Sequence, residues 1–274
     1  MNKNKIKLII ILTLLISFYT ISAQDKLAQT GFQFLSVATD ARGGAMADAM
    51  TTVQLNSSSL FFNPAGMARM KSRFDINATQ NNWIADIKHN SYTMAIRPAG
   101  GRFGVIGLSF MSVDYGEIQG TMAWGNDKGY VKTEVFEPSA YALGIGYASI
   151  LTDKFAVGGH VKYAGQQLGR SSVPVVEDSL KVKRNKAYAV AYDFGTIYRT
   201  GYKSLKFGMS VRNFSNEIKY ETESFLLPLT FRIGISMDLM DLVSNMDNHI
   251  LLTTIDATHP RSYPEQLKFG MQYG

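Results

Sequence analysis

Side chains able to do chemistry are few in this sequence, and most are scattered. The four histidines, His89, His160, His249 and His259, stand at separations that fit no metal-ligand spacing. His160 reads as a polar wall residue and His259-Pro260 as part of a turn. Ser57-Ser58-Ser59 supplies hydroxyls, but no general base lies near them in sequence, so the run reads as a loop. Gly43-Gly44 follows no strand and opens no GxGxxG pattern, so it is not a phosphate loop. No G-x-S-x-G elbow, HExxH helix or P-loop occurs. Neither catalysis nor a cofactor or metal is expected. One constellation remains, Lys162, Arg212, Arg232 and Lys268 against Asp193 and Asp238, which strand alternation puts on a single face. These charges either bind an anionic head group, such as a fatty-acid carboxylate, or pair with one another and anchor a neighbouring segment. Buried wall charges need partners in both cases.

The elements that would position them begin with an export signal. Lys3, Lys5 and Lys7 precede an apolar run from Leu8 to Tyr19 and the small residue Ala23. A basic start, an apolar core shorter than a bilayer span and a small residue at the cut make residues 1–23 a secretory signal peptide. With no cysteine in the chain there is neither a lipid-anchor site after the signal nor a disulfide framework. The formal charge of +6 falls to +3 without the three signal lysines, 25 basic against 22 acidic residues, so it does not point to nucleic acid. After the signal no window approaches the roughly 20 apolar residues of a membrane helix. A chain of this kind enters a membrane only as a closed β-barrel.

Residues 24–71 contain the one long stretch that is neither strand-like nor plain loop, Ala38–Met70, rich in Ala, Gly and Met. Asn is a good N-cap and Pro suits the first helical position, so Asn63-Pro64 reads as the start of a short helical turn. Residues 72–274 then alternate. Ten strands are expected: Arg73–Trp83, Ser91–Arg97, Arg102–Val113, Ala140–Leu151, Phe155–Ala164, Ala187–Tyr198, Leu205–Arg212, Leu229–Leu239, Ile250–Thr258 and Gln266–Tyr273. Tyr141, Leu143, Ile145 and Tyr147 share one face with Ala140, Ala142, Gly144 and Gly146 opposite; Leu229, Phe231, Ile233 and Ile235 oppose Thr230, Arg232 and Gly234. Short turns (Pro98–Gly101, Thr152–Lys154, Thr200–Lys203) alternate with longer polar links at Ile84–Asn90, Asp114–Pro138, Gly169–Lys186, Asn213–Pro228 and His259–Pro264.

In a soluble sandwich the large apolar face turns inward, and the outer face is rich in long polar side chains. In a membrane barrel the large apolar residues meet lipid, the lumen face is small or polar, and short turns alternate with long loops. The pattern favours an all-β transmembrane antiparallel barrel, with Gly and Ala on the lumen face leaving room for Ala38–Met70 as a plug. A helical hairpin packed outside a soluble β-domain is the competing arrangement.

Ala41-Arg42-Gly43-Gly44-Ala45 followed by Ser59-Leu60-Phe61-Phe62-Asn63-Pro64-Ala65-Gly66-Met67 resembles the N-terminal signature of the PorV/PorQ family, within the FadL-like outer-membrane barrels of Gram-negative bacteria. Asp193–Arg199, Val211-Arg212-Asn213-Phe214, Leu227-Pro228-Leu229 and Asp256–Pro260 agree with it. The resemblance implies a barrel of about fourteen strands with an N-terminal hatch, carrying Ala41, Arg42, Gly43, Gly44, Asn63, Pro64, Ala65 and Gly66, in its lumen. Ten strands are present and the chain stops at Tyr273-Gly274 without a terminal aromatic residue. The expectation is therefore of a barrel truncated at its C-terminus, with a shorter barrel as the alternative. The resemblance further implies a role in type IX secretion, receiving or attaching secreted cargo through the outer loops and rim, with secreted cargo proteins or secretion-system subunits as partners. The alternative within the superfamily is a diffusion channel for long-chain fatty acids or other hydrophobic compounds.

Overall fold

The computed structural model describes residues 30–175, 179–220, 223–243 and 249–274. The expected signal peptide, residues 1–23, lies outside them. Ten strands form one antiparallel sheet: β1 (Phe74–Asn82), β2 (Lys88–Ile96), β3 (Val105–Asp114), β6 (Ser139–Ile150), β7 (Phe155–Val175), β8 (Ser179–Arg199), β9 (Lys206–Phe214), β12 (Thr230–Asp238), β13 (Leu251–Pro260) and β14 (Gln266–Tyr273), neighbours in that order. Two small hairpins, β4 (Ile118–Ala123) with β5 (Tyr130–Phe136) and β10 (Ile218–Tyr220) with β11 (Glu223–Phe225), decorate two of the long connections. Every neighbouring pair is antiparallel and sequential apart from these hairpins, as an up-and-down meander requires. β1 and β14 are the two edges of the sheet, with no further strand beside either among the described residues. No helix among those residues is long and apolar enough to cross a membrane, which says nothing of strands.

Alternation decides which face is which. Along β6 exposed and buried residues alternate almost without a break, with Ala140, Ala142, Gly144, Gly146 and Ala148 inside. Tyr141 is 38 % exposed, Ile145 56 %, Phe207 43 % and Ile233 47 %, while Arg232 is buried. The sheet is therefore greasy outside and small or charged inside.

Residues 30–70 cover the inner face. The segment starts beside the long connections, where Thr30 bridges Leu226 and Phe32 stacks on Phe225. It ends at the short turns, where Arg69 donates to the Asp153 carbonyl. Its only α-helix is the short α1 (Ala41–Ala45), capped by Asp40, whose Oδ1 accepts from Arg42 N at 3.0 Å and Gly43 N at 3.2 Å. The expected turn at Asn63-Pro64 is present as a 3-10 turn over Pro64–Met67, with Asn63 Oδ1 accepting from Ala65 N at 3.1 Å. The core is built from large side chains of this segment (Phe34, Leu35, Met50, Leu60, Phe62, Met67) against alanines and glycines of the sheet. Large against small lets the two layers interdigitate without voids.

Several expected boundaries shift. Gly169–Lys186 is not a long loop: β7 runs on to Val175 and β8 starts at Ser179, paired through Val175↔Ser179. Residues 176–178 lie outside the described set. Ile84–Asn90 shortens to a link between Asn82 and Lys88, because His89 and Asn90 pair with Asn81 and Gln80. His259 and Pro260 belong to β13 rather than to a turn, and His259 faces Glu265 with Nδ1 to Oε1 at 2.8 Å. Asn213 lies within β9, which runs on to Phe214, rather than opening a loop.

Candidate functional site: the polar interior and its basic cavity

All ten strands of the sheet touch residues 30–70, and small residues permit it. A Cβ added at Gly158 would enter the backbone of Pro64 and Ala65, and one at Gly195 would enter the Asn63 amide. Asn63 itself ties the segment to the sheet, donating from Nδ2 to the Thr51 carbonyl at 2.6 Å and to the Thr196 carbonyl of β8 at 3.1 Å. Gly43 lies against the Phe62 ring, Gly66 against Ser59, and Arg42 Nε donates to Gln272 Oε1 of β14 at 2.9 Å. Ala41 and Gly44 are exposed, whereas Pro64 and Ala65 are buried. The residues of the resembling motif are thus mostly positioning residues for the segment.

Carboxylates of the sheet hold its main chain. Asp75 Oδ1 on β1 accepts from Ser57 N at 3.1 Å and its Oδ2 accepts from Asn56 Nδ2 at 3.0 Å. Asp256 Oδ2 on β13 accepts from Thr51 N at 3.0 Å and Thr51 Oγ1 at 2.7 Å. Ser57-Ser58-Ser59 is buried in a 3-10 turn over Asn56–Phe61, and Ser57 serves as one of these anchors.

The expected charge constellation divides in two, and one member leaves it. Lys162 Nζ pairs with Asp193 Oδ2 at 2.8 Å and donates to Asn213 Oδ1 at 2.6 Å. His160 Nδ1 meets the same Asp193 oxygen at 3.0 Å, and His160 Nε2 meets Ser109 Oγ at 2.8 Å. With Asp193 accepting from Nδ1–H, Nε2 accepts from the Ser109 hydroxyl. Gly144 lies between Ser109 and His160; a Cβ there would touch both, so the missing side chain is the passage for the imidazole. Sequence reasoning assigned His160 to the wall and missed this chain of bonds across β3, β7, β8 and β9. Four strands that are neighbours only through the sheet contribute to it.

A Ser-His-Asp hydrogen-bond chain is the arrangement of serine hydrolases. Here Ser109 is 4 % exposed, His160 2 % and Asp193 1 %, and Leu60 packs on the inner glycines beside them. A nucleophile needs a substrate carbonyl at contact distance and donors for its oxyanion. The burial of all three residues under residues 30–70 leaves the chain as an anchor of the interior.

The second group surrounds Asp48, which sequence reasoning also missed. Arg232 donates to Asp48 Oδ2 and, from Nη1, to the Asp48 carbonyl at 3.1 Å; Lys268 Nζ donates to Oδ2 at 3.1 Å. Burial alone would push the Asp48 carboxyl up, but Arg232 and Lys268 outweigh it and hold the group below the ordinary carboxylate value. Arg212 stands beside this group, its Nη2 donating to the Leu35 carbonyl at 3.1 Å. Asp238, expected in the same constellation, is at the far end of β12. Its Oδ1 accepts from Met240 N at 3.0 Å and Leu251 N at 2.8 Å, so it caps the turn over Leu239–Leu242. Height along the strand separates Asp238 from the others.

A cavity of about 200 Å³ opens at the long-connection end of this second group, lined by Arg212, Arg232, Arg261, Lys268 and Asp48 among others. A second of about 460 Å³ lies at the sheet edge between α1 and β1, lined by Asp40, Thr79, Gln80, Asn81 and Asn82 among others. Comparison of the chain with protein-family models and with curated proteins finds no match.

Proposed function

We propose that this chain forms the wall and hatch of a FadL-like outer-membrane β-barrel of the PorV/PorQ type, which binds, shuttles or attaches type IX secretion cargo through its outer loops and rim. The observation that carries the membrane part is the inverted sheet. A continuous outer face of exposed Tyr, Phe, Ile, Leu and Val is far larger than the patch a soluble monomer leaves open. Lipid is the solvent that such a face fits. Its height fits too: the ten steps from Tyr188 to Tyr198 cover about 33 Å of strand, or about 25 Å of depth at a tilt of about 40°. Aromatic rings stand at both ends of the band, with Tyr141, Tyr163 and Tyr188 toward the long connections and Tyr147, Tyr198 and Phe207 toward the short turns.

Residues 30–70 then act as the hatch. Their direct seating on Gly158 and Gly195 supports binding at the rim over passage through the interior. The working surface is the β4–β5 hairpin and the extended β7–β8 pair. The signal peptide delivers the chain to the outer membrane. The second reading, a diffusion channel for hydrophobic compounds, is favoured by one feature, the 460 Å³ cavity beside α1 at the β1 edge. Its lining mixes Asp40, Gln80, Asn81 and Asn82 with Ala38, Ala41 and Gly44.

The test is deletion of residues 119–135, which removes the hairpin and spares the ten-stranded sheet. In cells that make the protein, the full-length form should co-purify with secreted proteins carrying a C-terminal signal domain, and the deletion should lose them. Fatty-acid uptake unchanged by the deletion supports the cargo reading. Uptake that depends on this chain, with no cargo bound, replaces it with the channel reading.

A further inference from the structure

The cavity at the rim is charged out of proportion to its partners. Four cations, Arg212, Arg232, Arg261 and Lys268, line it with one carboxylate, Asp48. That carboxylate is already bonded to Arg232 and Lys268 through Oδ2. Arg212 and Arg232 are each at least nine-tenths buried, and the Nε of each is buried without a hydrogen-bond partner. A buried donor without an acceptor is costly, and a charged one more so. Two guanidinium groups held close together repel; of the carboxylates that offset this, Asp193 is bonded to Lys162 and His160 and Asp256 to Thr51, which leaves Asp48 as the carboxylate on the cavity wall.

The missing component is an acceptor carrying more than one negative charge. Guanidinium groups match the oxygens of phosphate or carboxylate with two parallel bonds, and Lys268 supplies a point charge beside them. The volume of about 200 Å³ is ample for a tetrahedral oxyanion and too small for a folded chain. The excess of cations over carboxylates on the wall favours a dianion over a single carboxylate.

We infer that this cavity is a phosphate-binding site, taking a phosphate group from either free phosphate or a phosphorylated lipid head group. Arg261 guards the mouth: it is half-buried on the connection between β13 and β14, and Nη1 only reaches the Leu227 carbonyl at 3.4 Å. Arg212 and Arg232 form the floor. The site does not depend on the cargo reading, since it is defined by charge and space alone.

Isothermal titration of the detergent-purified full chain with inorganic phosphate, against chloride at equal ionic strength, tests it directly. Binding should weaken at least about tenfold in Arg261→Gln, whose side-chain bond goes to the Leu227 carbonyl, while thermal unfolding stays where it was. Arg212→Gln should weaken it further. Titration with a short-chain phosphatidic acid separates the sources: tighter binding than phosphate identifies a lipid head group, and equal or weaker binding identifies free phosphate. Either order supports the site. Absence of binding by both, or binding unchanged in Arg261→Gln, overturns it.

Discussion

Asn213 donates its main-chain N–H to Asp193 Oδ1 at 2.7 Å from a left-handed backbone, with φ of 60°. The register explains the geometry. Tyr192 pairs with Phe214 but Phe194 with Val211, so Arg212 and Asn213 together face Asp193 across a β-bulge. Simple alternation would send one of the two outward; the bulge turns both inward, and both are buried. One irregularity thereby supplies the partner of Asp193, the amide for Lys162 and a cation of the rim cavity.

Substitution at that bulge separates conformation from bonding. Asn213→Gly keeps the left-handed backbone and removes the amide that receives Lys162 and reaches the Pro228 carbonyl. Asn213→Ala removes the amide and adds strain. Both should lower stability, by about 1–3 kcal/mol for the lost buried bonds, with Asn213→Ala costing about 1 kcal/mol more. Denaturant unfolding in detergent measures the pair, and equal losses would show that the backbone conformation is not strained.

Glycine substitutions map the seating of residues 30–70. Gly195→Ala should lower the unfolding temperature and increase protease cleavage within residues 38–70, because its methyl group enters the Asn63 amide. Gly44→Ala is the control. Nothing lies within 4 Å of a Cβ at Gly44, so helix propensity should leave stability equal or higher by up to about 1 kcal/mol.

Asp48 makes a pH prediction. Its carboxyl is depressed, so its contribution to stability is fully present above the ordinary value of 3.8 and is lost as pH falls below that through the depressed value. Asp48→Asn leaves Arg232 and Lys268 without their anion and should cost about 3–5 kcal/mol. The gap between wild type and variant should stay constant from pH 7 to pH 5 and narrow only below pH 3.8. A gap that already narrows near pH 6 would remove Asp48 from this role.

Leu60 and the burial of Ser109 predict chemical silence. A fluorophosphonate probe should not label the folded protein, and labelling of Ser109 that disappears in Ser109→Ala would show both an opening of residues 30–70 and an activated hydroxyl.

Ile145→Arg addresses the outer face. In a bilayer an arginine at mid-depth should cost about 2–4 kcal/mol, whereas an exposed position in water tolerates it within about 0.5 kcal/mol. Unfolding measured in lipid vesicles distinguishes the two, and a negligible cost would sink the membrane reading.

Much of the sheet was legible before any coordinates. Each strand carries its own period of two, so Tyr141 against Ala142, or Phe207 against Gly208, announces two unlike faces from local spacing alone. The Asn63-Pro64 turn was legible for the same reason, since an N-cap acts on residues beside it. What local spacing cannot convey is height. Lys162, Asp193, Arg212, Arg232, Asp238 and Lys268 share a face, yet register puts Asp238 at the opposite end from Arg232 and brings Asp193 to His160 and Ser109. Asp48 joined the site only because the folded chain lays residues 30–70 against the inner face of the sheet. The bulge at Asp193 depends on two strands pairing out of step, which neither strand encodes by itself. The sequence by itself determined the faces, and the tertiary structure decided the neighbours, because alternation is a property of one strand while register and the seating of residues 30–70 are properties of the assembled sheet.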